Sequence, residues 1–101
     1  MNIDWSNDKI IQFCRRWHVR ELSLFGSVLR DDFHVESDVD VLVSFDEQAC
    51  CGLFDLVRME NEIGEIFLRK VDLVSRRGIE SSRNYLRRNA ILTSAKVIYA
   101  A

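Results

Sequence analysis

Proline is absent from the 101 residues, and so is any repeat or low-complexity stretch, which leaves no linker at which the chain would divide. One domain spanning residues 1–101 is therefore expected, a length that suits a single compact core and is too short for two. Cysteine is scarce and odd in number. Cys14 and the adjacent Cys50 and Cys51 give no disulfide framework, and with His18 and His34 the only histidines there is no zinc-ligand spacing. The thiols are expected to be reduced and buried or half-buried. No apolar run approaches the roughly 20 residues of a membrane span. The opening, MNIDWSNDKI, lacks the basic-then-apolar order of a signal peptide, so no membrane association and a cytoplasmic location are expected.

A strong charge of one sign is missing as well: 14 Lys and Arg against 16 Asp and Glu give a net charge of −2 and a pI near 5.6. Such a chain is a poor general nucleic-acid binder, and direct nucleic-acid binding is not expected. The balance hides an asymmetry, because residues 1–50 hold five basic and ten acidic side chains while residues 51–101 hold nine and six. The basic half, with Arg69, Lys70, Arg76, Arg77, Arg83, Arg87 and Arg88, is either a solvated face or an attraction for a phosphate ligand or an acidic partner.

What the chain does contain is a clear succession of elements. Ser6 or Asn7 can cap a helix whose apolar positions are Ile10, Phe13, Cys14 and Trp17, and VRELSLF then alternates like a strand that ends at Gly26. A helical turn through Val28 and Leu29 and the polar loop DDFHVE lead to SDVDVLVSF, with Val39, Val41, Val43 and Phe45 on one face. After EQACCG a second helix carries the stripe Leu53, Leu56, Val57, Ile63, Ile66 and Phe67 opposite Arg58, Glu62 and Glu65. KVDLVS reads as a third strand, ESSRNYLRRNAI as a capped amphipathic helix, and AKVIYA as an edge strand or a docking tail.

The anomaly lies in the second strand. Side chains two apart on a strand share a face, about 6.6 Å from each other along it, so Asp38 and Asp40 point the same way. Aspartate is disfavoured in strands and two like charges side by side repel, so folding alone would not select the pair. A hard divalent cation is the natural occupant of the space between them. Mg²⁺ takes one or two protein carboxylates and leaves its other positions to substrate phosphates and water. Asp72, set between Val71 and Leu73, repeats the pattern around Asp40, and the three acids would share a patch if their strands were neighbours. Gly26 lets the backbone approach a ligand closely and Ser27 adds a hydroxyl, a pairing suited to phosphate at a helix start. Arg30 is a charge partner either for that phosphate or for Asp32.

These residues together resemble the minimal nucleotidyltransferases of the DNA polymerase beta superfamily. More closely, the short chain resembles the MNT-domain antitoxins encoded beside HEPN-domain ribonuclease toxins. Members commonly read GSxARGDxxxxSDxDL, and Gly26, Ser27, Arg30, Asp32, Ser37, Asp38 and Asp40 match it, while Asp31 stands where glycine is usual. The resemblance runs from the helix before Leu22 to the final strand.

The resemblance implies an α+β polymerase beta-like fold, a small mixed β-sheet with helices packed on one side. It also implies Mg²⁺-dependent transfer of AMP from ATP to a hydroxyl. In that scheme Asp38, Asp40 and Asp72 are the catalytic, metal-binding acids, with Asp38 and Asp40 holding two Mg²⁺ ions and Asp72 ligating the catalytic one. Gly26, Ser27, Arg30 and Ser37 are the nucleotide-binding residues. The implied partner is a HEPN-domain toxin, held in a hetero-oligomer and neutralised by adenylylation of a tyrosine. So short a chain has little left over to hold a second substrate, which suits an acceptor supplied by another protein. Val97, Ile98, Tyr99 and the basic helix around Tyr85 are the candidate contact surfaces. Two alternatives are a nucleotidyltransferase acting on a small molecule or an RNA end, and a binding antitoxin without catalysis.

Overall fold

Ser6 starts the first helix by accepting a hydrogen bond from the Lys9 N–H, and α1 then runs Asn7–Arg16 with Ile10, Phe13 and Cys14 buried. In the computed structural model, which describes residues 3–30, 37–47 and 52–101, it is followed by β1 (Val19–Phe25), a 3₁₀ turn (Gly26–Leu29) and β2 (Val39–Phe45). The order continues with α2 (Leu53–Phe67), β3 (Val71–Ser75), α3 (Arg76–Glu80), α4 (Tyr85–Ser94) and β4 (Lys96–Ala100). The DDFHVE loop, with Asp31 and Asp32, and the Cys50–Cys51 pair lie outside the described residues.

The strands form one mixed sheet in the order β3-β2-β1-β4, in which β1 runs antiparallel to both β2 and β4 while β2 and β3 run parallel. AKVIYA is thus an edge strand. A parallel pair needs a long crossover, and α2 supplies it. Each long helix leaves for its strand through a residue in the left-handed conformation, His18 (φ 56°) after α1 and Leu68 (φ 56°) after α2.

Alternation along the strands splits the sheet into two faces. One carries Leu22, Leu24, Val39, Val41, Val43 and Val71, packed with Ile10, Phe13, Met59, Ile63 and Phe67 of α1 and α2 in the main core. Each of these side chains contributes roughly 1.5–3 kcal/mol by leaving water. The two long helices therefore pack on one side, and the expectation that all helices lie there is corrected by α3 and α4, whose apolar residues are drawn to the other face. The opposite face carries a smaller cluster, Phe25 and Leu42 with Ile79 of α3 and Ile91 of α4.

Two details differ from the sequence expectation. In α2 the expected Leu56, Ile63, Ile66 and Phe67 pack in or against the main core and Met59 joins them, while Val57 is 54% exposed. Glu62, expected on the solvent side, accepts hydrogen bonds from Trp17 Nε1 at 2.9 Å and Arg16 at 3.1 Å. The side chain of Leu53 lies outside the described residues. The segment ESSRNYLRRNAI is also broken, with α3 ending at Glu80 and α4 starting only at Tyr85 under an Asn84 cap. Between them the Ser81 hydroxyl bonds back to the carbonyls of Arg77 and Gly78, and Ser82 Oγ accepts from the Asn84 N–H. These short polar side chains divert the backbone from a continuous helix.

Candidate active site

The strand register does what the sequence left conditional: Asp40 of β2 stands opposite Asp72 of β3 in the parallel pair, so the two carboxylates lie side by side on neighbouring strands. Asp38 precedes β2 by one residue and shares the parity of Asp40. The backbone is anchored there by the Val39 N–H donating to the Lys70 carbonyl at 3.0 Å. All three acids fall on the sheet face away from the main core, with Asp38 and Asp72 exposed and Asp40 half-buried.

Across the antiparallel pair, Phe25 is the partner of Asp40, which brings the next residue, Gly26, beneath the Asp40 carboxylate. Gly26 has φ +75°, and a Cβ built on it would overlap Oδ2 of Asp40 and lie 3.3 Å from its Cγ. Both the backbone angle and the space demand glycine here. The Ser27 hydroxyl donates a long 3.5 Å hydrogen bond to the Asp38 carbonyl, tying the turn to the start of β2. The Ser37 carbonyl accepts from Arg69 Nη1, also at 3.5 Å.

The electrostatics follow from this crowding. Burial, the neighbouring Asp72 and then Asp38 push the Asp40 carboxyl above the usual carboxylate range, and Arg30 and Arg87 oppose them. The acids thus form an under-compensated negative cluster. Among the described residues no set of three or more His, Cys, Asp or Glu is gathered tightly enough to enclose a metal by itself. Such a cage is not required by Mg²⁺, which uses one or two carboxylates and completes its sphere with phosphate and water. The oxygen donors and the excess negative charge fit that ion.

Gly26, Arg30 and Asp40 line one open cleft of about 640 Å³, together with Phe25 and Leu29. Asp38 and Asp72 flank Asp40, while Ser27 and Ser37 are not among the residues that line the cleft. The opposite wall is α4, which contributes Arg87, Ala90, Ile91 and Ser94. Sequence reasoning placed Arg87 in the basic half without assigning it to the site. The available signal was its spacing of three, four and seven residues from Ala90, Ile91 and Ser94, which defines one helix face. Tyr85 (64%) and Leu86 (86%) are exposed at the start of α4, and Val97 (51%) on β4, whereas Ile98 and Tyr99 pack against the main core. Among the described residues no helix is long and apolar enough to cross a membrane.

Comparison with known proteins agrees with this arrangement. The model of the nucleotidyltransferase domain family matches residues 8–98. A candidate protein adenylyltransferase of Methanocaldococcus jannaschii is 37% identical over 75 residues, covering 74% of this chain and 78% of its own. The protein adenylyltransferase MntA of Thermococcus cleftensis is 35% identical over 66 residues, and the match spans 65% of that protein's length, a little under two thirds. Among solved structures, a toxin–antitoxin with AMP-PNP has a chain that superposes with a TM-score of 0.70 at 21% identity, over 95% of this chain and 74% of that one. A tri-AMPylated Shewanella oneidensis HEPN toxin in complex with MNT antitoxin gives a TM-score of 0.61 at 21% identity, over 94% and 70%. A family match that begins in α1 and ends in β4, on a sheet of the same fold, makes this chain a member of the nucleotidyltransferase domain family, within the polymerase beta-like superfamily.

Proposed function

We propose that this protein is an antitoxin-type protein adenylyltransferase that transfers AMP from ATP to a tyrosine hydroxyl of a HEPN-domain toxin. The observation that carries the reading is the seating of the Asp40 carboxylate directly over Gly26 and beside Asp72, with Asp38 next to it. Support for the acceptor comes from the relatives, two of which are named as protein adenylyltransferases, and from the similar fold of a complex in which a HEPN toxin is AMPylated.

Asp38, Asp40 and Asp72 would hold two Mg²⁺ ions, which supply charge neutralisation of the triphosphate and of the oxygens that attack and leave. Asp72, the exposed acid of the pair on adjacent strands, takes the proton from the acceptor hydroxyl. The freed oxygen forms a bond to the α-phosphorus of ATP as the bond to the β-phosphate oxygen breaks, and pyrophosphate leaves. Gly26 keeps the turn close to the acids, so that backbone N–H groups of Gly26–Leu29 can face phosphate, and Ser27 braces the turn against β2. Arg30 lines the same cleft and offsets negative charge beside Asp40. The protein's contribution is position and charge, with the acceptor presented by the bound toxin in a hetero-oligomer.

The test is intact-mass spectrometry of a HEPN-domain toxin co-expressed with this protein and incubated with ATP and Mg²⁺. Mass increments of one AMP each, absent with Asp38→Ala/Asp40→Ala, are expected. An unmodified toxin held in a stable, inactive complex would replace this reading with inhibition by binding alone.

A further inference from the structure

The cleft has two walls, and the shared motif accounts for only one of them. Gly26, Arg30 and Asp40 form the first, while the second is the face of α4 that bears Arg87, Ala90, Ile91 and Ser94. Ile91 is only 6% exposed and packs with Phe25 and Leu42, which fixes the rotation of α4 against the sheet. One turn nearer the helix N-terminus, Arg87 is thereby carried to the cleft mouth. Ala90 and Ser94 are small, so this wall leaves the cleft open.

The other arginines around the site already have work. Arg76 pairs with Glu21 at 3.4 Å and Glu80 at 2.8 Å. Arg88 lies 4.6 Å over the Tyr85 ring and donates to the Glu80 carbonyl, and Arg69 donates to the Ser37 carbonyl. Arg77 lines a separate cleft at the other end of β2, with Phe45 and Asp46. Among the described residues Arg87 forms no ion pair within 4.0 Å, although its charge is felt at Asp40 across the cleft. A cation facing a carboxylate over an open gap, with no contact across it, is arranged for an anion that enters the gap. Guanidinium matches phosphate in particular, because its planar fork can donate two parallel hydrogen bonds.

We infer that Arg87 is a substrate-contacting residue whose guanidinium binds phosphate oxygens of the nucleoside triphosphate from the α4 side of the cleft. The inference rests on the nucleotidyltransferase reading above and adds to it a phosphate contact outside the shared motif. It also explains why α4, joined to α3 by a turn, is docked on the acid-bearing face at all. The triphosphate would be gripped from both sides, by the turn and its metal-holding acids on one and by Arg87 on the other.

Calorimetric titration of the full chain with a non-hydrolysable ATP analogue and Mg²⁺ tests this, using Arg87→Ala, Arg87→Lys and, as a control on an exposed arginine in the turn just before α4, Arg83→Ala. Loss of a charge-assisted hydrogen bond predicts affinity weakened about tenfold or more in Arg87→Ala, a smaller loss in Arg87→Lys, and less than twofold change in Arg83→Ala. Arg87 is exposed, so thermal midpoints should be unchanged. Analogue affinity within twofold of wild type in Arg87→Ala, or an equal loss in Arg83→Ala, would overturn the inference and leave the nucleotidyltransferase reading standing. A wild-type chain that binds no analogue would overturn both.

Discussion

Along β2, Val39, Val41 and Val43 turn to one side and are fully buried, whereas Asp40 turns to the other and stays partly open to solvent. The same contrast holds on β3 between Val71 and Asp72. One face of the sheet therefore gathers apolar contacts from α1 and α2, and the other collects like charges that repel. The sides alternate with a period of two, and on the acid-bearing side Leu42 and Phe25 still pack under α3 and α4 in the smaller cluster. The lesson is that the packed face does most of the stabilising, and so allows the acid face to be arranged for chemistry at some expense to the fold.

This division makes predictions that run from large effects to small. Phe13→Ala, which empties a fully buried position of the main core, should cost about 3–5 kcal/mol. Denaturant titration will read that loss, and a cost below about 1 kcal/mol would mean the core face is not the principal source of stability. Gly26→Ala sits at the junction of the two faces. The added methyl strikes the Asp40 carboxylate at a positive φ, so AMP transfer should fall on the order of 10²-fold while stability drops by roughly 1–2 kcal/mol. Transfer at the wild-type rate would show that the close seating of Asp40 is incidental.

A third prediction concerns pH on the packed face. Burial pushes the Cys14 thiol from 9.0 up to about 12, so the folded chain keeps a proton that the unfolded chain loses. Stability from this group is whole below pH 9 and is lost progressively as pH rises from there toward the folded value. The melting temperature followed from pH 8 to 10.5 should fall more steeply in wild type than in Cys14→Ala, and parallel slopes would contradict the assignment. On the acid face the sign is the same and only the pH window differs. The Asp40 carboxyl is raised above the ordinary carboxylate value, so its charge costs stability above that value and costs nothing once pH falls below it. In metal-free buffer Asp40→Asn should therefore melt a few degrees higher at neutral pH, with the gain shrinking as the solution is acidified through about pH 4.

Much of this arrangement was legible beforehand because its signals are local. VDVLVSF alternates over adjacent residues, Ser6 precedes the helical stripe of α1, and Gly26, Ser27, Asp38 and Asp40 lie within one short stretch. What local pattern does not carry is which elements meet. The approach of Asp72 to Asp40 depends on β2 and β3 being parallel neighbours, a relation made by the α2 crossover. Glu62 reads as a solvent-facing charge until Trp17 and Arg16 are brought against it, and Val57, on the apolar stripe by spacing, is exposed. Arg87 likewise stays one basic residue among several until Ile91 fixes which side of α4 faces the acids.

The separation of the two faces is tested most directly by one paired measurement on Asp40→Asn: AMP incorporation into the co-expressed HEPN toxin, and the melting temperature in metal-free buffer at pH 7. The account predicts incorporation reduced at least about 10²-fold with a melting temperature equal to or above that of wild type. Retained incorporation, or a melting temperature lowered by more than about 5 °C, the equivalent of roughly 1 kcal/mol at this size, would contradict it.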